Sequence, residues 1–159
     1  MHTAYLALGT NVGDRQAHLN RAVAAIATLP GIAGLRLSRV RETAPVGPQD
    51  QGAFLNAAVA VQTWLAPQAL LADLLNLETR LGRPTRANRR HWGPREIDLD
   101  LLVHGPHIIN TPALVLPHPR LHERSFVLDP LNDLAAHLII PGQPHTVAQL
   151  LADLSSSTP

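Results

Sequence analysis

The stretch Ile97-Asp98-Leu99-Asp100-Leu101-Leu102-Val103 decides how this chain is read. Its first five residues alternate between apolar and acidic, the period of a strand whose successive side chains point to opposite faces. Ile97, Leu99 and Leu101 then face a core, and Asp98 and Asp100 project together from the other side. Upstream, Leu70, Leu71, Leu74, Leu77, Glu78 and Leu81 recur at helical spacing between Pro67 and Gly82, a favoured start and stop. Residues 54–64 read as a strand rich in valine and alanine. Residues 32–40 read as a half-exposed strand, with Leu35, Leu37 and Val40 set against Arg36, Ser38 and Arg39. Asp14 caps a helix carrying Leu19, Ala22, Val23 and Ile26, which Pro30-Gly31 stops. Tyr5-Leu6-Ala7-Leu8 is a buried first strand ending at Gly9-Thr10-Asn11.

The resulting order, β-α-β-β-α-β, is the ferredoxin-like split pattern. It is an α+β fold with an antiparallel sheet and helices on one face. Additional C-terminal elements follow: a short strand at 107–110, an irregular proline-bearing run at 112–124, and helices at 126–137 and 147–154. Residues 1–159 read as a single domain, with 155–159 a frayed tail.

Composition narrows the chemistry. The 159 residues contain no cysteine, which excludes a disulfide scaffold, a cysteine-ligated zinc site and a thiol nucleophile. All 13 basic residues are arginine, so a P-loop lysine or a Schiff-base lysine is excluded too. The formal net charge of +1 gives no reason to expect bulk nucleic-acid or membrane binding. No targeting pattern opens the chain and no run of 18 apolar residues occurs, so the expectation is a cytoplasmic protein without a membrane partner. No nucleophile elbow, zinc helix or glycine-rich nucleotide fingerprint is present.

Four constellations carry chemistry. Asp98 and Asp100 share a strand face, where one carboxyl pKa rises unless a cation intervenes. Such hard oxygen donors suit Mg²⁺ with substrate phosphates, although two acids on a solvated strand are the plain alternative. Arg80, Arg83, Arg86, Arg89, Arg90 and Arg95 fall in sixteen residues without an acid. Their guanidinium forks match phosphate oxygens, or they are neutralised by Asp98 and Asp100 themselves. Phe54 and Asn56 share a face, fit to stack on and hydrogen-bond a flat heterocycle, with core packing as the plain alternative for Phe54 and Phe126. His118, between Pro117 and Pro119, is either a loop histidine or a phosphate donor.

Together these segments resemble the 6-hydroxymethyl-7,8-dihydropterin pyrophosphokinase family of folate synthesis. The most specific piece is the run from Arg90-His91-Trp92-Gly93-Pro94-Arg95 through Glu96 into Ile97-Asp98-Leu99-Asp100-Leu101-Leu102. Leu8-Gly9-Thr10-Asn11, Thr43-Ala44-Pro45-Val46-Gly47, Phe54-Leu55-Asn56-Ala57, Glu78-Thr79-Arg80-Leu81-Gly82-Arg83 and Pro117-His118-Pro119-Arg120 support it in order. The resemblance implies diphosphate transfer from ATP to the pterin hydroxymethyl group, with AMP leaving. It implies that Asp98 and Asp100 hold two Mg²⁺ ions and that Arg83 and Arg95 act with them in catalysis. It implies that Thr43, Val46, Phe54, Asn56, Asp98 and Phe126 bind the pterin. Glu78, Arg83, Trp92, Arg95, Ile97, His118 and Arg124 would line the ATP side. It further implies a monomer that uses no nucleic acid. Residues 43–52 and 82–94 read as lids. The chain departs from some members in carrying Phe54 for tyrosine, Ala113 for an adenine-side arginine, and about two extra residues in the arginine loop. Two readings compete: an RNA-binding module on the ferredoxin-like sheet, and an ordinary kinase releasing ADP.

Overall fold

The computed structural model describes residues 1–47, 49–83 and 94–157. Arg86, Arg89, Arg90 and Trp92 lie outside the described residues. The strands are β1 (His2–Thr10), β2 (Ile32–Leu37), β3 (Arg41–Thr43), β4 (Phe54–Thr63), β5 (Asp98–His104), β6 (Ile109–Asn110) and β7 (Val115–Leu116). The helices are α1 (Arg15–Ala27), α2 (Pro67–Arg80), α3 (Ser125–Ala135) and α4 (Val147–Ser156), with a 3-10 turn at Leu121–Glu123.

The main sheet runs β2-β4-β1-β5, antiparallel at each pairing, with β3 added alongside β4. This is the ferredoxin-like order that the sequence pattern predicts. β1 lies at its centre because it is apolar on both faces, and α1 and α2 return the chain across one side. The Asp14 carboxylate accepts from the Ala17 N–H at 3.0 Å and caps α1. Pro67 opens α2 at a position where its missing donor costs nothing.

Leu6, Leu8, Val59, Val61, Leu99 and Leu101 face these helices and meet Leu19, Ile26, Leu70 and Leu74. Leu6, Leu70, Leu74 and Ile97 are fully buried. Each contributes roughly 1.5–3 kcal/mol by leaving water.

Three expectations need correction. First, helices cover both faces of the sheet. Ala58, Leu102 and Val103 pack beneath α3 through Val127, Leu128 and Leu131, and α4 closes over α3 with Val147 and Leu150. The C-terminal elements are therefore a third layer. α4 also runs two residues further than its apolar pattern, ending at Ser156. Second, the strand read at 32–40 stops at Leu37, which is exposed, and β3 begins at Arg41. Ser38, expected to face outward, is buried instead. Its N–H donates to the Ala58 carbonyl at 2.9 Å and its hydroxyl accepts from the Ala58 N–H at 2.8 Å, which ends the regular ladder. Third, the irregular run contains β7, which pairs with β6 as a separate ribbon. No helix among the described residues is long and apolar enough to cross a membrane.

Candidate active site

Strand register builds the site on the α3 face. Gly9 of β1 pairs with Asn56 of β4 on one side and Asp98 of β5 on the other. Ala7 likewise stands between Ala58 and Asp100. Two adjacent rows thus run ring side, small residue, acid. Because β1 offers only glycine and alanine, a trough is left between β4 and β5, whose backbones lie about 10 Å apart. A cavity of about 420 Å³ occupies it. Phe54, Asn56, Asp98 and Asp100 form its lower walls, Ser125, Phe126 and Val127 of α3 roof it, and Thr43, Ala44, Val46 and Gln51 close one end.

Phe54 and Phe126 are half-buried and line this space, so neither is spent wholly on the core. The Asn56 amide donates to the Thr43 hydroxyl at 2.5 Å, which fixes its plane. Across the trough, the Arg83 guanidinium donates to Asp98 and, at 2.5 Å, to Glu78, and Arg95 donates to the other Asp98 oxygen. Glu78 is buried and also accepts from the Leu99 N–H at 2.7 Å. Arginine pairing with the acid strand, one of the two readings open from the sequence, therefore holds for Asp98.

The two acids sit in contrasting fields. Burial works to raise the Asp98 pKa, but Arg83 and Arg95 together outweigh it and hold the group below the usual carboxylate range. Asp100 is pushed up to about 7, first by burial and then by the charges of Asp98 and Glu78. A half-buried carboxyl raised in this way on a cavity wall is suited to gain a cation. Among the described residues no set of three or more histidines and acids is placed to hold a metal. Asp98 and Asp100 thus fit a hard cation such as Mg²⁺ that completes its shell with water and substrate oxygens.

Arg95, Arg120 and Arg124 supply positive charge to the cavity, and the Arg124 guanidinium stands 5.7 Å from the centre of the Phe126 ring. Glu78 and Arg83 sit behind Asp98, outside the cavity wall. Ile97 is fully buried with the α1/α2 core. His118 lies on a neighbouring small cleft, its Nδ1 accepting from the Arg120 N–H at 3.2 Å. Its pKa is lowered by burial and then by Arg124.

Sequence reasoning gave no role to Gly9, Ala7, Gln51, Arg120 or Glu123, all of which line the cavity. Gly9 and Arg120 lay inside quoted motifs, but only the strand register places Gly9 opposite Asn56. Gln51 and Glu123 carried no signal, because only the tertiary fold brings their loops to the trough.

The chain matches the 7,8-dihydro-6-hydroxymethylpterin-pyrophosphokinase (HPPK) family over residues 5–136. It is 45% identical over 157 residues to a 2-amino-4-hydroxy-6-hydroxymethyldihydropteridine pyrophosphokinase of Methylorubrum extorquens, covering 99% of this chain and 96% of that one. It is 46% identical over 131 residues to the Bacillus subtilis protein of the same name, covering 82% and 77%. A crystal structure of an HPPK-DHPS in complex with substrates superposes with a TM-score of 0.76 at 14% identity, covering 99% of this chain and 46% of that chain. That last likeness speaks to the fold alone. A match over most of the chain, with relatives of this identity and coverage, places it plainly: the chain belongs to the HPPK family.

Proposed function

We propose that this chain transfers diphosphate from ATP to the hydroxymethyl group of 6-hydroxymethyl-7,8-dihydropterin, giving the pterin diphosphate and AMP. Its family membership carries the pyrophosphokinase activity and the place in folate biosynthesis. The observation that supports the residue roles is the pair of rows across β4, β1 and β5. These set Asn56, with Phe54 two residues before it on the same strand, about 10 Å from Asp98 and Asp100 across a floor of Gly9 and Ala7.

In this reading Phe54 and Phe126 sandwich the pterin ring, and Asn56, Thr43 and Val46 meet its edge. The hydroxymethyl oxygen then points toward Asp98 and Asp100. It attacks the β-phosphorus in line and gives up its proton to water, the bond from that phosphorus to the oxygen bridging to the α-phosphate breaks, and AMP leaves with that oxygen and the electron pair. Arg95 and Arg124 receive the phosphates from the cavity lining, and Glu78, Arg83, Trp92, Ile97 and His118 keep the nucleotide roles that the family likeness implies. The guanidinium groups offset charge on the phosphoryl oxygens as it builds. Two Mg²⁺ ions held by Asp98 and Asp100 would neutralise and orient the triphosphate when bound. Asp98 would then be shared between a cation and the Arg83 and Arg95 guanidinium groups that hold it here. Positioning and charge neutralisation supply the rate, and no side chain is assigned as a strong base.

The test mixes the protein, Mg²⁺-ATP and the pterin alcohol and separates the nucleotides chromatographically. AMP is expected in step with pterin diphosphate and is expected to disappear in Asp98→Ala. ADP as the nucleotide product would refute the reading.

A further inference from the structure

We propose that Arg41 is a positioning residue for the pterin ring: it ties α3 to the sheet edge so that Phe126 stands at a set height above Phe54 and Asn56. The proposal rests on the reading of the trough as the pterin site. Arg41 lines no part of the cavity, so the role assigned to it runs through α3.

Arg41 begins β3 and pairs with Asn56 of β4, and Thr43, at the end of the same short strand, pairs with Phe54. Arg41 is therefore paired along the strand positions that form the wall for the ring. Its guanidinium reaches across to α3. Nη1 and Nη2 donate to the two Asp133 oxygens at 2.7 and 2.9 Å, and Nε lies 2.9 Å from Asp129 Oδ2. Arg39 adds its N–H to Asp133 at 3.1 Å and its guanidinium at 3.0 Å.

The geometry of α3 carries this restraint to the ring. Phe126, Asp129 and Asp133 are spaced i, i+3 and i+7, so they lie along one stripe of the helix. Val127, Leu131 and Leu134 take the adjoining face, against the sheet and α4. The apolar face holds α3 down through contacts that carry no direction of their own. The two-acid grip of a planar guanidinium supplies that direction. A shift of about 1 Å at Phe126 would spoil stacking on a flat ring.

The experiment measures steady-state kinetics for Arg41→Met, Asp129→Asn, Phe126→Ala and the Arg41→Met/Phe126→Ala double variant. Arg41→Met is expected to raise KM for the pterin about tenfold, with kcat and KM for ATP within about twofold. Asp129→Asn, which keeps the Asp133 pair and so the fold, is expected to shift the same constant in the same direction. In the Phe126→Ala background, Arg41→Met is expected to add less than about twofold, since its effect passes through that ring. Arg41→Lys is expected to recover only part, because an ammonium cannot hold both acids in a plane.

If Phe126→Ala raises the pterin KM and the Arg41 and Asp129 variants do not, or if the effects multiply in the double variant, the positioning role is overturned. If Phe126→Ala leaves pterin binding unchanged, the pterin-site reading fails, and this proposal with it.

Discussion

Asn11 and Arg95 are joined by a reciprocal pair of hydrogen bonds. The Arg95 N–H donates to Asn11 Oδ1 at 2.8 Å, and the Asn11 N–H donates to the Arg95 carbonyl at 3.1 Å. The Asn11 amide turns the other way and donates to Gln51 Oε1 at 3.0 Å and to the Gly52 carbonyl at 3.3 Å. One buried side chain thus links the segment leading into the diacid strand with the segment that closes the ring end of the cavity. Asn11→Ala is expected to cost about 2 kcal/mol of stability, because it removes three hydrogen bonds made by a buried side chain. It is also expected to lower kcat/KM about tenfold through misplacement of Arg95 and residues 44–52. Asn11→Asp keeps the acceptor for Arg95 and loses the donor to Gln51. It should recover KM for ATP and leave KM for the pterin raised. Denaturant unfolding and initial rates check both.

Gly9 is the floor between Asn56 and Asp98, and a Cβ built there would lie 3.3 Å from Asn56 Oδ1 and 3.8 Å from the Phe54 ring. Gly9→Ala is therefore expected to push the Asn56 amide by a few tenths of an ångström and raise KM for the pterin several-fold. Gly9→Val would fill the trough. Its loss of pterin binding should reach about a hundredfold with far less effect on nucleotide binding, measured by titration of each ligand.

Arg83 is a buried cation shared between buried Glu78 and half-buried Asp98. Arg83→Met leaves the Glu78 carboxylate in the core without that partner, for an expected loss of about 3–5 kcal/mol. Adding Glu78→Gln should restore part of it, since the remaining amide oxygen still accepts from the Leu99 N–H. A thermal and denaturant series on the two single variants and the double variant gives the coupling directly.

His104 is fully buried at the far end of β5, its Nε2–H donating to the Leu65 carbonyl at 2.9 Å, with its Nδ1 3.2 Å from His107 Nδ1. Burial lowers its pKa below the ordinary 6.5, with the Leu65 hydrogen bond opposing and His107 reinforcing the shift. A base with a depressed folded-state pKa takes up protons more readily when unfolded. Its contribution to stability is thus whole above pH 6.5 and is lost as pH falls from there through the folded value. His104 thus contributes a fall in unfolding free energy on acidification from pH 7.5 to 5.5, opposed by Asp100, whose raised carboxyl gains its proton over the same range. His104→Gln should remove that contribution, whereas an unchanged slope would count against the assignment.

Much of this protein was determined by its sequence alone. Alternation at Ile97–Leu101, the helical spacing from Leu70 to Leu81 and the Pro and Gly boundaries are local signals, and each produced the element it implied. The diacid strand, the Phe54–Asn56 wall and the family motifs were equally legible, because period-two side-chain direction is a property of the backbone. What only the tertiary structure decided were relations between distant segments. The α3/α4 layer on the second face was hidden because a short apolar helix does not declare which surface it covers. The break at Ser38 depended on a hydrogen-bond partner on β4. Asn11 as a clasp, Gly9 as a floor and Arg41 as a grip on α3 are polar or small residues without periodicity. Their roles follow from hydrogen-bond reach across loops and register across strands, and both are set only when the sheet is assembled.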